Sequence, residues 1–427
     1  MNNVYINYFS FQNYRKFSNE VKITLITDDK KFDFKETINN VQFDFKKEFY
    51  NSAIGIIAKN AAGKSTIFNS LNLYFLFNNG GMYYRMRDIT PFGIREFNNR
   101  LINLFDFNNS RNPIILKMSI NSQKNRFLHE IEFYNNNSFK ENIYIFNKPK
   151  PKLIWSKDSS HNPNIFNFLN FYNFLNSQSK ADGNNDNLSN MSEELKDFGS
   201  SLNYLSASVL VFNSETNKEK LLGETLNQIF LDTKISKNEK QISDKINLII
   251  KTIDDNVENV TFDIRKDTNN KLIGMNFRNV ELKNKNVIPV LSLSEGTLKF
   301  LSKVLPIIGD WAQGRNTYVF MDELDNSWHP KLARFFIELF QMKVFNNITL
   351  IFTAHNPYIY EILRKDAIYL IDNENQFVRY SELKNKLGVS IRNDYKFSKN
   401  YLNENIGSSP DDKTINKFYD EILKSLK

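Results

Sequence analysis

The apolar residues of this chain form short continuous runs that alternate with stretches of helical spacing. Runs of strand length without a polar face indicate strands that are buried on both sides, as in a parallel sheet. Stretches in which apolar residues recur every three or four positions indicate helices that cover such a sheet. The alternation predicts an α/β fold with parallel strands. The runs are 53–57, 317–321, 348–353 and 367–371; the helical stretches contain Ile67, Leu71, Tyr74 and Phe75, then Leu298, Leu301, Leu305 and Ile308, then 335–340.

Other segments are typical of strands with one buried face. The aromatic segment 4–11 predicts a first strand, and 21–27 alternates apolar and polar positions. Three further segments, 113–120, 127–134 and 143–146, are separated by polar turns. We expect these three to form an antiparallel subsheet beside the parallel core.

Residues 151–285 separate two halves of the predicted core, 1–150 and 286–427, and are interpreted as a mixed helical and strand insertion. No sustained heptad pattern is present, so long coiled-coil arms are not expected. The predicted elements of the insertion are helices at 164–175, 222–230 and 242–257, a strand pair at 260–265 and 272–277, and a flexible polar loop at 177–190.

Composition narrows the class of protein. The 427 residues are 41% hydrophobic and 24% charged, as in an ordinary globular protein, and no apolar run approaches the roughly 18 residues of a membrane helix. The absence of cysteine excludes disulfides and Cys-based zinc sites, and no secretion signal is visible. We expect a cytoplasmic location and no membrane partner. The net charge of +8 is carried mostly by scattered lysines, so charge alone gives little support to DNA binding.

A phosphate-binding loop is the clearest chemical motif. Gly63-Lys64-Ser65 follows the run 53–57 and opens a helical stretch, which is the context that this motif requires. Backbone N–H groups bind phosphate there, the lysine reaches the β and γ phosphates, and the serine binds Mg²⁺. Ala58 stands where the pattern has glycine, which is tolerated if φ is negative there. The predicted ATP contacts are Ala58, Lys59, Asn60, Ala61, Ala62, Gly63, Lys64, Ser65 and Thr66, with Ser65 also a Mg²⁺ ligand.

Two acids end the apolar run 317–321. Ligands of parallel sheets bind at the carboxyl ends of the strands. Asp322 is predicted to hold Mg²⁺ through water, and Glu323 to position or activate the water that attacks ATP. An Asp-Glu pair is common at strand ends, so this prediction depends on the loop upstream.

The segment Leu293-Ser294-Glu295-Gly296-Thr297 precedes a helical stretch. Ser294 is a good N-cap, and the positive end of the helix dipole would point outward, toward a phosphate that another head holds. Ser294 and Gly296 are therefore predicted to bind the ATP of a neighbouring copy, although a plain capped helix is the alternative. Asp325 joins this group because its loop could reach across the same seam.

A histidine follows the apolar run 348–353. His355 is predicted to lie near the γ-phosphate and to sense it, and it is grouped with Glu323 as a catalytic residue. His129 has no partner that the sequence identifies. A glutamine loop cannot be placed, because Gln123 lies in a polar turn.

The order of these motifs resembles the compact ABC-type ATPases of bacterial anti-phage systems, including those of the AbiL/RloA kind and of the PARIS system. The resemblance implies an ABC-type P-loop NTPase head, with a mixed sheet, an antiparallel subsheet and an α+β insertion between the halves of the core. It also implies ATP and Mg²⁺ as cofactors. The motifs are Asn60-Ala-Ala-Gly-Lys-Ser-Thr66, Leu293-Ser-Glu-Gly-Thr297, Phe320-Met-Asp-Glu-Leu-Asp-Asn-Ser-Trp-His-Pro330 and Phe352-Thr-Ala-His-Asn356.

Both ends of the chain add to the resemblance. Asn13-Tyr14-Arg15-Lys16-Phe17 is similar to the family's Asn-Phe-Arg-Ser-Phe start, whose arginine lies near the nucleotide, so Arg15 is assigned to the site. A solvated loop charge is the alternative for Arg15. The segments 392–394 and 401–410 are similar to the family's ending, and Trp328 stands where the family has leucine.

The resemblance also implies a role shared with a second protein, a TOPRIM-type (RloB-like) nuclease or another toxin. The ATPase would sense infection through a DNA or phage-protein trigger, and two heads would sandwich ATP in a homodimer or higher homo-oligomer. No TOPRIM acidic cluster follows His355, which argues against a fused nuclease. Two alternatives stay open: a RecF/SMC-type DNA repair or recombination ATPase, and a nucleotide-gated scaffold with little turnover.

Overall fold

A computed structural model gives the fold for most of the chain. No helix within the described ranges is long and apolar enough to cross a membrane. The structure describes residues 4–27, 38–59, 62–79, 112–134, 138–146, 150–159, 167–169, 171–173, 191–212, 244, 247–248, 250–251, 253–266, 268, 272–312, 314, 316–326, 328–371, 376–383 and 396–403.

The described elements are strands, α-helices and short 3₁₀ helices. The strands are β1 (Tyr5–Gln12), β2 (Val21–Thr24), β3 (Ile38–Gln42), β4 (Lys47–Asn51), β5 (Ala53–Ile57), β6 (Ile114–Asn121), β7 (Arg126–Phe133), β8 (Phe139–Ile145), β9 (Lys152–Asp158), β10 (Val209–Phe212), β11 (Val257–Lys266), β12 (Leu272–Leu282), β13 (Val287–Pro289), β14 (Thr317–Met321), β15 (Ile348–Thr353), β16 (Ile368–Ile371) and β17 (Phe377–Arg379). The α-helices are α1 (Lys64–Asn79), α2 (Glu193–Ala207), α3 (Glu295–Ala312), α4 (Pro330–Gln341) and α5 (Phe397–Leu402). The 3₁₀ helices are Val290–Ser292, Lys343–Phe345, Pro357–Ile362, Lys365–Ala367 and Tyr380–Glu382.

The central sheet has the strand order β10-β14-β15-β5-β16-β17. Its first five strands are parallel, and β17 at the edge is antiparallel. The strands β5, β14, β15 and β16 correspond to the four apolar runs, and all their residues are buried. The predicted parallel sheet is confirmed, because burial on both faces produces the continuous apolar pattern.

A second sheet has the order β2-β1-β6-β7-β8-β9, and its neighbouring strands are antiparallel. Side chains of β7 alternate between buried and half-buried, which matches the apolar and polar alternation of its sequence. The predicted antiparallel subsheet is confirmed. It is larger than predicted, because β1, β2 and β9 extend the three expected strands.

Helix α1 lies between the two sheets and joins their core. The ring of Phe68 contacts Phe320 of β14, with centroids 6.2 Å apart, and the ring of Tyr74 contacts Phe9 of β1 at 6.1 Å. Leu71, one turn after Phe68, is also buried. Since α1 begins at the predicted phosphate-binding loop, packing against both sheets fixes the position of that loop.

Helix α3 packs against two separate groups of apolar residues. Phe300 contacts Phe336 of α4 at 5.7 Å between ring centroids, in the core on the far side of the central sheet from α1. Leu301 and Leu305 instead pack with a small sheet of β11, β12 and β13. The predicted strand pair is thus confirmed, with β13 as a third strand.

The segment 151–285, predicted as an insertion, supplies one strand to each of the two large sheets. β9 pairs with β8, and β10 pairs with β14. The domain boundaries that the sequence predicts remain a hypothesis, and these pairings limit a separate unit to residues after β10. The strand β10 has only four residues, and its place in the central sheet depends on β14, which lies about a hundred residues further along the chain.

Helices of the segment 151–285 match the predicted ones in part. In 164–175, the described residues 168–169 and 171–173 are helical, whereas α2 was not predicted. The helix predicted over 242–257 is too long, because described helical residues end at Ile253 and Val257 is the first residue of β11. The predicted loop 177–190, the helix 222–230 and the segments 392–394 and 404–410 lie outside the described residues.

Candidate functional site

The adjacent parallel strands β14, β15 and β5 end at one edge of the central sheet. Met321 is level with Phe352, and Thr353 is level with Ile56, so the three carboxyl ends lie side by side. The segments that follow them carry the predicted phosphate-binding loop, the acid pair and His355. The topology therefore brings the three motifs to one edge, where ligands of parallel sheets bind.

The phosphate-binding loop joins β5 to α1. Gly63 has a φ of +104°, a conformation that glycine adopts without the strain of a side chain. The Lys64 ammonium donates to the carbonyl of Ala58 at 2.8 Å and to that of Lys59 at 3.3 Å. The φ of Ala58 is not positive, so alanine is tolerated where the pattern has glycine. Ala62 and Thr66 are buried, Ser65 is exposed, and Asn60 and Ala61 lie outside the described residues.

Charges around Lys64 connect the loop to the acidic strand end. Burial lowers the pKa of Lys64, and the carboxylates of Asp322, Glu323 and Asp325 oppose that shift. The four residues are therefore within electrostatic reach of one another. This proximity is what a site for phosphate and a divalent cation requires, because the acids balance the metal and the lysine balances the phosphates.

The hydroxyl of Thr353 links the two acids of the pair. It donates to Oδ1 of Asp322 at 2.6 Å and accepts a hydrogen bond from the backbone N–H of Glu323 at 2.8 Å. Thr353 is fully buried and Asp322 is nearly so. The sequence identified the strand end but missed this role, because a threonine at the end of a buried strand gives no sign of its partners.

The carboxylate of Glu323 is held at the mouth of the site. Asn326 donates to its Oε2 at 3.2 Å, and Nε2 of His355 lies 3.6 Å from its Oε1. Glu323 also has a φ of +50°, which is strained for a residue with a side chain and costs about 1–3 kcal/mol. Strain of this kind persists where surrounding contacts determine the backbone, and it concentrates at functional sites. The structure thus places both predicted catalytic residues, Glu323 and His355, side by side.

Asp325 has a contact that the sequence did not predict. Its carboxylate accepts from the backbone N–H of His355 at 3.0 and 3.1 Å and from that of Asn356 at 2.8 Å. It therefore fixes the turn that carries His355. The predicted contact of Asp325 across a seam between two heads remains a prediction, which this hydrogen bonding within one chain does not support.

Tyr360, in the 3₁₀ helix after β15, is a second residue that sequence reasoning missed. Its buried hydroxyl accepts from the N–H of Ala354 at 2.8 Å and lies 2.8 Å from the carbonyl of Ile56, to which it donates. It also packs over Gly55, where an added Cβ would lie 2.6 Å from the Tyr360 ring. Tyr360 therefore joins the ends of β5 and β15 directly below the site.

Replacing Tyr360 by phenylalanine is expected to lower stability by about 1–3 kcal/mol, because the buried N–H of Ala354 loses its acceptor. The matched control is Tyr358→Phe, two residues earlier, where the side chain is 59% exposed. Thermal unfolding followed by circular dichroism checks the difference. Equal melting temperatures for the two variants would contradict the assigned role.

The segment Leu293–Thr297, called the signature segment from here on, leads into α3, which begins at Glu295. Ser294 caps the helix, since its Oγ accepts from the N–H of Thr297 at 3.1 Å and lies 2.7 Å from the Thr297 hydroxyl. The predicted N-cap is confirmed. Ser294 is exposed and Gly296 is half-buried, so both are accessible at the positive end of the helix. Their contact with ATP held by another copy remains a prediction.

Arg15 lies in a turn after β1 and has a φ of +52°. Its guanidinium carbon lies 5.6 Å from the centroid of the Tyr14 ring. This contact leaves the assignment of Arg15 to the nucleotide as a prediction from resemblance alone.

Lys303 on α3 is a buried cation beside the acids, and sequence reasoning missed it. Its Nζ lies 4.9 Å from the centroid of the Trp328 ring. Burial lowers the pKa of Lys303 to about 8, while carboxylates, that of Asp322 foremost, oppose the shift. Position 328 is a tryptophan, where the ATPases that the sequence resembles have leucine. The face of the Trp328 ring therefore contacts the buried ammonium of Lys303.

The variant Lys303→Met removes this charge while keeping the length of the side chain. The pKa of Lys303 is near 8 in the folded protein and about 10.4 in the unfolded chain. Between these two pH values the unfolded chain binds more protons than the folded protein, so the stability of wild type rises with pH in this range. We expect the free energy of unfolding of the variant minus that of wild type to be greatest near pH 7. This difference should be about 2 kcal/mol smaller at about pH 9.5. Melting temperatures in EDTA check this. A difference independent of pH would contradict it.

His129 and Gln123 lie away from the site. His129 is fully buried, with Nε2 2.8 Å from Glu141 and Nδ1 2.7 Å from the Tyr74 hydroxyl. The sequence does not identify these partners, because they come from β8 and α1. Gln123 lies in the turn between β6 and β7 and donates to Asp44 at 2.8 Å.

The oxygen donors at the sheet edge fit a magnesium ion. Mg²⁺ takes one or two protein oxygens and completes its shell with phosphate and water. Ser65 is exposed in the first turn of α1, and Asp322 has one oxygen fixed by Thr353. Within the described ranges, no group of three or more His, Cys, Asp or Glu could hold a metal. Two protein oxygens, those of Ser65 and Asp322, are the number that a nucleotide-linked Mg²⁺ ion takes from a protein.

The strand order, the loop and the acidic strand end define the head of a P-loop NTPase. The chain belongs to the family described as "AAA domain, putative AbiEii toxin, Type IV TA system", whose sequence profile matches residues 54–361. This match spans the loop, the signature segment, the acid pair and His355.

Solved structures similar to the chain include two heads of SMC proteins. One is described as "Crystal structure of the SmcHead bound to the C-winged helix domain of ScpA"; it is 10% identical, with a TM-score of 0.45, over 82% of this chain and 89% of that one. The other, "SMC head domain from Thermotoga maritima", is 9% identical, with a TM-score of 0.38, over 88% of this chain and 98% of that one. No curated protein matches the sequence.

Proposed function

We propose that this protein binds ATP with Mg²⁺ at the carboxyl edge of the central sheet and hydrolyses it. The proposal is carried by one observation, the convergence of Lys64 with Asp322, Glu323 and His355 at the ends of three adjacent strands. A loop lysine alone is compatible with many anion sites. Acids on the neighbouring strand end add the groups that a metal-bound phosphate and an attacking water require.

Each residue has a distinct proposed role. Lys64 would leave the carbonyls of Ala58 and Lys59 to contact the phosphates, while the loop N–H groups surround them. Ser65 and Asp322 would hold Mg²⁺, which neutralises charge that develops on the phosphate oxygens. Glu323, oriented by Asn326, would position the attacking water and accept its proton.

We infer a homodimer or a higher homo-oligomer in which two heads enclose the nucleotide. The exposed Ser294 and the accessible N-terminus of α3 support this arrangement, because a positive helix end is otherwise directed at solvent. In a symmetric pair, each head would give its signature segment to the ATP of the other head.

Mixing two inactive variants tests the shared site. Lys64→Ala should disable one half of a site and Ser294→Arg the other, so each variant alone should hydrolyse no ATP. In a one-to-one mixture, half of the dimers are mixed and each keeps one intact site, so roughly a quarter of wild-type activity should return. A mixture as inactive as its components would sink the two-headed site.

For the biological role, we propose the sensor or regulatory subunit of an anti-phage system that acts by abortive infection. Two observations support it: the sequence resemblance to ATPases of such systems, and the family description, which names a putative toxin of a toxin–antitoxin system. The proposed effector is a separate nuclease of the TOPRIM type or another toxin, released when a DNA or phage protein is sensed.

Phage challenge of cells that carry the gene with its neighbours tests the defence role. The wild-type locus should reduce plaque formation, and Lys64→Ala should abolish that protection. ATP-dependent DNA binding by the isolated protein, without any protection, would instead favour a repair or recombination ATPase. Tight ATP binding with no hydrolysis in single-turnover experiments would favour a nucleotide-gated scaffold.

A further inference from the structure

The side chain of Lys16 lies against the glycine of the phosphate-binding loop. A Cβ added to Gly63 would lie 2.5 Å from Cε of Lys16 and 2.7 Å from the ring of Phe17. The far end of the lysine stem therefore reaches the loop itself. The sequence assigned the neighbouring Arg15 to the nucleotide and gave no role to Lys16.

The turn that carries Lys16 is held in a fixed conformation. Tyr14 and Phe17 exchange backbone hydrogen bonds of 3.1 Å, and both rings are buried against Phe11. Asn13 and Arg15 have left-handed φ values of +57° and +52°. Two such residues within three positions persist only where surrounding contacts determine the backbone. The turn thus presents Lys16 to the loop as a preformed feature.

Two lysines of the loop act electrostatically on Lys16. Burial lowers the pKa of Lys16, and the positive charges of Lys59 and Lys64 lower it further. Mutual repulsion of cations is relieved by an anion placed among them, and the N-terminus of α1, which begins at Lys64, favours an anion. A chain of phosphates carries several charged oxygens, so separate lysines can each contact a different oxygen of one nucleotide.

We propose that Lys16 is a second lysine that binds the phosphates of the nucleotide, from the side of the loop where its side chain lies against Gly63. This inference rests on the proposed ATP site. In the turn after β1, Lys16 replaces Arg15 as the proposed contact. Both cations lie near a ring, Arg15 at 5.6 Å from that of Tyr14 and Lys16 at 5.8 Å from that of Phe17, but the Lys16 side chain is the one that lies against Gly63.

Equilibrium binding of ATP by calorimetry, in EDTA and at low salt, tests the inference. Lys16→Gln should weaken binding roughly 3- to 10-fold, the effect of one partly exposed charge contact. Lys16→Arg should restore most of the affinity, and added salt should reduce the difference between Lys16→Gln and wild type. Lys22→Gln on β2 is the control, since the Lys22 ammonium lies 4.0 Å from the ring of Tyr8 on β1.

The outcomes separate this inference from the proposed function. If wild type binds ATP and Lys64→Ala does not, but Lys16→Gln binds as wild type does, the role of Lys16 is wrong and the ATP site stands. A larger loss for Arg15→Gln than for Lys16→Gln also overturns it. If wild type fails to bind ATP, both proposals fall together.

Discussion

Replacing Lys64 by alanine is expected to weaken ATP binding by at least about 100-fold, because two charge-assisted hydrogen bonds of about 1.5–3 kcal/mol each are lost. The fold should survive, since the described hydrogen bonds of the Lys64 ammonium are to carbonyls of its own loop and join no distant elements. Calorimetric titration with ATP measures the affinity, and circular dichroism measures the fold. This separation makes Lys64→Ala the most direct test of the site.

The control for this variant is Lys331→Ala. Lys331 is exposed in the first turn of α4, and its backbone N–H, which bonds to His329, is retained in the variant. A similar loss of affinity in both variants would indicate a nonspecific effect of charge. Unchanged affinity for Lys64→Ala would show that the loop is not the ATP site.

Replacing Glu323 by glutamine is expected to slow ATP hydrolysis by about 100- to 10,000-fold, the usual contribution of a general base. Glutamine keeps the size of the side chain and can still accept a hydrogen bond from Asn326. ATP binding should therefore remain, and the bound state should accumulate. Light scattering with saturating ATP should show a stable assembly of at least two chains.

The matched control is Glu338→Gln on the exposed side of α4, where Glu338 pairs with Arg334 at 2.8 Å. It should hydrolyse ATP at the wild-type rate. A Glu323→Gln protein that binds ATP and stays monomeric would rule out the two-headed arrangement but leave the site intact. Wild-type turnover in that variant would instead remove Glu323 from the reaction.

Much of the fold follows from the sequence because of how the central strands are buried. Residues 53–57 and 348–353 are buried on both faces of the sheet, so their apolar runs identify them as strands even when the neighbouring strands are not known. Helix α1 is also evident from the sequence, because its apolar side chains recur at helical spacing and pack against the two sheets. The strand β10 was missed although its four residues are all apolar, and its place in the central sheet could not be predicted because it depends on pairing with the distant β14.

The residues of the site also fall into two groups, those that the sequence predicts and those that it does not. Lys64, Asp322 and His355 are set by local motifs at strand ends, and their order along the chain indicates the class of ATPase. Thr353 and Tyr360 act through hydrogen bonds to residues that are distant in sequence, and a motif cannot encode such pairings. The left-handed backbone at Glu323 is likewise a result of the turn being joined to β15, not of any residue preference.

The pairing of β10 with β14 has a consequence for dividing the chain. The N–H of Tyr318 donates to Ser208 and that of Asp322 to Phe212, so β10 covers the outer edge of β14. A half-chain starting at residue 286 would expose that edge as an apolar strand, which is a template for aggregation. The soluble unit that contains the acid pair therefore has to begin before Val209.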